Sequence, residues 1–285
     1  MGIKNIITII MKEPKFRPKK RLGQNSLVDP RARLRIIDAC AFSPDDIVLE
    51  IGAGFGVMTA LIAEVARKLV ALEIDPQLYK ALSDSFATKN NVSILRQDIL
   101  KFDLGAYFKD AGQKIKVFGN IPYYITTPII EHLLEHRNII DSVFIMVQKE
   151  FAQRAVVGPG TKVYGSLSCF LQYYTIPEIL FNVKKNSFKP APKVDSALLK
   201  LKIREVPAVH VNEEELFFKI IRAGFNQRRK TLKNSLKDFI RADNLAAFFK
   251  RYLLSADIRA ERLSLADFAN LANMCEEPVR ALPGN

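Results

Sequence analysis

Short apolar runs alternate with helical stretches through the first two thirds of the chain, and this alternation constrains the fold more than any other feature. Strands are expected at residues 47–51, 69–73, 92–95, 115–119 and 142–147. Helical patterns fall between them near 57–66, 76–87 and 128–136, after an earlier one at 31–41. Runs this apolar are buried on both faces, so the pattern predicts an α/β fold with a mostly parallel, helix-covered sheet. Two further strands, 175–183 and 196–203, are joined by a segment in which no helix fits. They are expected to pair antiparallel at one sheet edge, which brings the sheet to seven strands. Beyond residues 205–212 the chain reads all-helical. Asn212 with Glu215 signals a helix running to about residue 225, and others follow near 228–240, 244–254 and 264–275. The domain boundary is placed at 208, which separates residues 1–208 from a small helical domain, 209–285.

Charge is spread unevenly over these parts. Of the formal net charge of +13, residues 1–35 carry +8, residues 36–199 none and residues 200–285 the remaining +5. A neutral middle between basic ends suits an enzyme that binds a polyanion. Plain solubility is the blander reading. An anionic membrane surface is a weaker one, since no lipidation signal accompanies the basic helix. No apolar run approaches the ~18 residues of a membrane span. The apolar stretch Ile6 to Met11 lacks a cleavage site and is not read as a signal peptide. Cys40, Cys169 and Cys275 show no C-x-x-C spacing, which implies neither a zinc site nor disulfides and fits a reducing, cytoplasmic compartment.

Two motifs carry the chemistry. Glu50-Ile51-Gly52-Ala53-Gly54-Phe55-Gly56 closes the first core strand and opens a helix. Glycines there permit a sharp turn and close approach of a ligand. Glu73, at the end of the next strand, can accept both hydroxyls of a ribose. A dinucleotide site needs G-x-G-x-x-G, and here the third glycine is out of register. The acid Glu50 would also repel a phosphate, whereas a sulfonium cofactor with an amino-acid tail carries positive charge. The pattern resembles motif I of S-adenosylmethionine-dependent methyltransferases. Asp98, after the third core strand, can accept from an adenine amine with Ile99 against the ring, or can simply cap a helix. The second motif, Asn120-Ile121-Pro122-Tyr123, follows the fourth core strand and has the form N-x-P-Y. An adenine amine is a poor nucleophile because its lone pair is delocalised into the ring. Two acceptors aimed at its hydrogens, the Asn120 oxygen and the carbonyl of Ile121 or Pro122, would pull the nitrogen toward tetrahedral geometry. Pro122 fixes the local φ, and Tyr123 offers a stacking face worth ~1–3 kcal/mol.

With these motifs the chain resembles the ribosomal RNA adenine dimethyltransferases, most closely the bacterial small-subunit (16S) branch. The likeness runs from about Lys20 to Asn273. It includes Leu22 to Leu27, Val147 to Glu150 with Arg154, Tyr164 to Ser168, Phe188 to Ser196, and Phe225 to Leu232. It implies a Rossmann-like class I methyltransferase. Its S-adenosylmethionine pocket would be lined by Asn25, Leu27, Gly52, Gly54, Glu73, Ile74, Asp98, Ile99 and Asn120. Gly52 would face the methionine moiety, Glu73 the ribose and Asp98 the adenine. The implied catalytic group is Asn120, Pro122, Tyr123 and Phe188, with Phe188 stacking the target base opposite Tyr123. RNA contacts would come from Arg228, Arg229, Lys230 and Lys233, an ordinary solvated face being the alternative. The family often has an aromatic where Ser26 stands and Asn where Tyr124 stands. The implied reaction is dimethylation of two adjacent adenosines in the 3′-terminal stem-loop of 16S rRNA. The partner would be a small-subunit precursor and the enzyme a monomer. A 23S rRNA methyltransferase of the macrolide-resistance type, a non-catalytic assembly factor and, more remotely, a mitochondrial transcription-factor relative are the alternatives.

One motif stands apart. His132-Leu133-Leu134-Glu135-His136 matches the H-x-x-E-H peptidase pattern. Because the rest of the chain spells another enzyme, these residues are expected at the boundary of a sheet-covering helix, and no metal is expected.

Overall fold

The computed structural model describes residues 25–227 and 229–275. The basic arm up to Gln24 and Arg228, an expected RNA contact, lie outside the described residues.

The described chain begins with β1 (Ser26–Leu27) and α1 (Pro30–Cys40), then alternates β2 (Ile47–Ile51), α2 (Val57–Ala63), β3 (Lys68–Leu72), α3 (Pro76–Phe86) and β4 (Val92–Leu95). There follow α4 (Leu104–Phe108), β5 (Ile115–Gly119), α5 (Thr126–Glu135), β6 (Ile140–Gln148), α6 (Lys149–Val156) and α7 (Ser166–Tyr174). The strands β7 (Thr175–Val183), β8 (Phe188–Lys189) and β9 (Ser196–Ile203) come next. Four α-helices end the described chain: α8 (Glu214–Asn226), α9 (Leu232–Leu236), α10 (Ala242–Arg251) and α11 (Leu265–Asn273).

Seven strands form one sheet in the order β4-β3-β2-β5-β6-β9-β7. The pairs β3–β4, β2–β3, β2–β5 and β5–β6 are parallel, and β9 runs antiparallel to β6. Parallel strands covered on both faces have no wet side. All five residues of β2 are accordingly buried, which is why they read as a continuous apolar run. Helices are started by side chains where the sequence provides them. Asp29 and Asp75 each accept two backbone N–H groups at the first turns of α1 and α3, ahead of Pro30 and Pro76. The chain leaves β2 toward β3 and β4 on one side and toward β5 and β6 on the other. Outside the carboxyl ends of β2 and β5 there is thus a topological switch point, where open α/β sheets bind ligands.

A two-stranded ribbon pairs Ser26 with Lys189 and Leu27 with Phe188. It is pinned by Arg33, whose Nε donates to the Leu27 carbonyl (2.8 Å), and by Ser187, whose hydroxyl bonds Asp29 (3.0 Å).

The chain divides into two compact units, one ending at Ala152 and taking in Glu178–Ile203, the other holding Gln153–Pro177 and the residues from Arg204. This differs from a single break at 208. Part of the reason is α7, whose Phe170, Tyr173 and Tyr174 pack ring against ring with Phe217 and Phe218 of α8. Both tyrosine hydroxyls also donate to Glu214. The capping signal at Asn212 and Glu215 is not used. The N-cap of α8 is Glu213, with no side-chain cap, and the Asn212 N–H instead donates to Asn273 (2.8 Å). The basic helix expected over 228–240 contracts to α9, started by Thr231.

Candidate active site

The ends of β4, β3, β2 and β5 stand level, with Leu95 beside Leu72, Leu72 beside Ile51 and Ile51 beside Gly119. The loops that leave them enclose a cavity of about 280 Å³. All nine residues expected at the cofactor line it: Asn25, Leu27, Gly52, Gly54, Glu73, Ile74, Asp98, Ile99 and Asn120. Pro122 and Tyr123 line it as well.

The glycine turn shows which ligand charge the site accepts. Gly52, Gly54 and Gly56 have φ of +73°, +58° and +75°. Their N–H groups are already committed. Gly52 and Ala53 both donate to the Leu72 carbonyl (2.9 and 3.1 Å), Gly54 to Glu73 Oε2 (2.8 Å) and Gly56 to the Ala53 carbonyl (2.9 Å). A pyrophosphate would need such donors free. Glu50, only 2% exposed, also lines the cavity, and its Oε2 has no hydrogen-bond partner among the described residues. Burial pushes this carboxyl up to about 8. An orphaned acidic oxygen in the wall calls for a cationic ligand, so the dinucleotide reading falls away. The third glycine serves packing instead. A Cβ at Gly56 would stand 2.6 Å from Leu82 and 3.0 Å from Phe86, both on α3.

Glu73 is held on both oxygens. Besides Gly54, the Asp75 N–H donates to Oε1 (2.8 Å). Burial raises its pKa while these backbone donors pull it down. A carboxylate oxygen accepts more than one hydrogen bond, so both remain able to accept from a diol. Asp98 caps the short turn after β4, accepting from the Leu100 N–H (3.0 Å), and that leaves its other oxygen over. The two expectations for Asp98 are thus compatible. For a flat ring the exposed apolar faces are Ile74, 50% exposed, and Leu100, rather than the buried Ile99.

At the N-x-P-Y segment the Asn120 amide donates through Nδ2 to the backbone carbonyl of Asn25 (3.3 Å). This orients the amide, and no hydrogen bond among the described residues uses its Oδ1. The Pro122 carbonyl already accepts the Ile125 N–H (3.2 Å), whereas no backbone hydrogen bond among the described residues involves the Ile121 carbonyl. The Tyr123 hydroxyl is tied to Ser196 Oγ, so its ring is held by both ends.

Phe188 needs correction. It is absent from the cavity lining, 3% exposed, and packed in the apolar cluster that contains Leu27, Ile36 and Phe181. Buried in that cluster beside its ribbon partner Leu27, it offers no face to a base in this structure. Two residues not picked out by function from the sequence stand at the site. Arg33 holds Leu27 in place, and Tyr124, 66% exposed, stands at the cavity rim. Tyr124 was visible only as a departure from the family pattern, and Arg33 gave no signal. Arg229, Lys230 and Lys233 are exposed around the start of α9, whose Leu232 and Leu236 are buried.

The model of the family described as "Ribosomal RNA adenine dimethylase" matches residues 15–277. The chain belongs to that family. The "Ribosomal RNA small subunit methyltransferase A" of Lachnoclostridium phytofermentans is 42% identical over 278 residues, covering 95% of this chain and 96% of the relative. That of Streptococcus sanguinis is 42% identical over 277 residues, covering 94% and 96%. Among solved structures, the 23S rRNA methyltransferase ErmE superposes with a TM-score of 0.70 at 25% identity, covering 89% of this chain and all of that one. A dimethyladenosine transferase from Plasmodium falciparum gives 0.70 at 26% identity, covering 86% and 95%. The fold is therefore that of the class I rRNA methyltransferases, and this rRNA adenine dimethylase is an S-adenosylmethionine-dependent enzyme. The residues present fit the cofactor: an orphaned acid for its positive charge, Glu73 for the ribose hydroxyls, and apolar faces for the ring. Among the described residues no helix is long and apolar enough to cross a membrane.

Proposed function

We propose that this enzyme dimethylates the exocyclic amines of two adjacent adenosines in the 3′-terminal stem-loop of 16S rRNA. It does so as a cytoplasmic monomer acting on small-subunit precursors and contributes to ribosome biogenesis. When bound, S-adenosylmethionine supplies a methyl group activated by the sulfonium. The residues of the chain do the rest. Glu50, Glu73 and Asp98 hold the cofactor. Asn120 Oδ1 and the Ile121 carbonyl accept the two hydrogens of the target amine, which frees its lone pair. Tyr123 stacks the extruded base, and the exposed ring of Tyr124 gives a second face at the rim. Arg229, Lys230 and Lys233, with Arg228, neutralise RNA phosphates from residues 209–285.

The observation that carries this reading is the Asn120 amide, anchored by its nitrogen to Asn25 with its oxygen left over in the cavity. The 42% identity to small-subunit enzymes favours the 16S target over the 23S target of ErmE, at 25%. Immature 30S particles and isolated 23S RNA, incubated with enzyme and cofactor, are compared by mapping dimethyladenosine as reverse-transcription stops. Two adjacent stops near the 3′ end of 16S rRNA are expected. A single stop in 23S RNA would move the assignment to the macrolide-resistance type, and no stop in either would leave an assembly role alone.

A further inference from the structure

The H-x-x-E-H segment is not used by methyl transfer, yet the structure gathers its three polar side chains. One ring nitrogen of His132, one of His136 and a carboxylate oxygen of Glu135 all lie within 4.8 Å of one another. They sit at the C-terminal end of α5, His136 as its C-cap, and none lines the cavity that α5 helps to wall through Ile129.

The hydrogen bonds decide which atoms are available. His132 Nε2 is 3.1 Å from the Phe102 carbonyl, and His136 Nδ1 is 3.1 Å from the His132 carbonyl. A carbonyl only accepts, so each of these nitrogens carries its hydrogen. In the neutral rings the lone pairs are then on His132 Nδ1 and His136 Nε2. His132 Nδ1 stands 3.7 Å from Glu135 Oε2, and when the ring is neutral both atoms are acceptors. A cation placed there satisfies both. Donation of the second ring nitrogen to a backbone carbonyl is also how metal-bound histidines are oriented in general.

We propose that His132 Nδ1, His136 Nε2 and the Glu135 carboxylate form a structural site for a divalent transition metal of the zinc class, with its fourth position open to water. Two nitrogens and one carboxylate suit Zn²⁺ or Co²⁺ and suit the harder Mg²⁺ and Ca²⁺ poorly. Rivals within the chain are few. It has only three histidines, the third being His210, and its three cysteines are all buried. The metal would fasten the C-terminal end of α5 and, through His132, the Phe102 segment.

The test uses the metal-free full chain titrated with Co²⁺. One equivalent is expected to bind with saturable visible d–d absorption, and Zn²⁺ should displace it. Zn²⁺ at about 100-fold excess over its Kd should raise the thermal midpoint by roughly 5 °C. Glu135→Gln and His136→Asn should each weaken binding about tenfold or more, whereas His210→Asn should leave it unchanged. Glu135 is 73% exposed, so its replacement answers the question even if His136→Asn folds poorly. Absence of the absorption, or binding undiminished in Glu135→Gln, overturns the site and leaves an ordinary ion pair between protonated His132 and Glu135.

Discussion

The strand ends of β2 to β5 and the segment around α9 place charge in opposite ways. At the strand ends, Glu50 and Glu73 are buried, and backbone N–H groups of the neighbouring loops fix what Glu73 can still bind. Around α9, Arg229, Lys230 and Lys233 stand in solvent on a turn anchored from beneath by Leu232 and Leu236. Groups fixed by a buried sheet act singly and strongly. Exposed cations act additively, each weakly, and salt screens them. Substitutions in the two regions should therefore differ in size and in kind.

The largest effect belongs to Asn120. Replacement by Ala removes the oriented acceptor and also the tie to Asn25. Methyl transfer should fall by at least about 10²-fold, as for loss of one preorganised catalytic hydrogen bond. Cofactor affinity should change far less. Single-turnover assays with calorimetry separate the two, and near-normal turnover would remove Asn120 from its role.

Glu73→Gln comes next. The amide keeps one oxygen but turns its NH₂ toward the N–H of Gly54 or Asp75, so a buried donor loses its partner. Cofactor binding should weaken roughly 10- to 100-fold, the range for a charged hydrogen bond. Turnover at saturating cofactor should recover. If kcat falls while Kd holds, Glu73 shapes the turn rather than the ribose site.

Glu50 supplies a pH signature that the exposed region cannot. Its folded pKa, about 8, lies above the ordinary 4.5, so the folded state keeps a proton that the unfolded state loses. Its contribution to stability is whole below about 4.5 and is lost as pH rises through about 8. Glu50→Gln should flatten that slope. A cationic cofactor favours the ionised acid, so binding should release a proton and tighten with pH up to about 8. Calorimetry in buffers of different ionisation enthalpy measures that proton, and no release in wild type would separate Glu50 from the positive charge.

The same contrast governs what was legible beforehand. Strands β2, β4, β5, β7 and β9 were readable to the residue; in the central β2, β5 and β9 the reason is that both faces of a covered sheet demand apolar side chains. The acids and glycines of the cavity lining followed from the strand ends, whereas Asn25 and Leu27 came only with the family resemblance. Helices α6 and α7 were missed. The aromatic run Phe170 to Tyr174 has no helical period, because its rings serve a helical packing made with Phe217 and Phe218. The two-residue ribbon was also invisible, and with it the burial of Phe188, because it depends on Arg33 and Ser187, distant in the chain. The third glycine, Gly56, was out of register for a dinucleotide, and its packing reason shows only in the position of Leu82 and Phe86. The basic segment was read as one long helix because its charges hide the capping Thr231.

The smallest expected effects are those of single cations. Arg229→Glu, Lys230→Glu and Lys233→Glu should each weaken RNA binding only a few-fold, uniformly across RNA sequences, and lower the salt slope by about one or two. Cofactor Kd should stay at the wild-type value, because none of the three lines the cavity. Filter binding at several salt concentrations, paired with cofactor calorimetry, measures both. If the three losses add in free energy, the segment acts as a charged surface. If one replacement alone abolishes binding at all salt concentrations, that residue is reading a base or a fixed RNA shape. The contrast between strand ends and helices would then give way to two sites of the same kind.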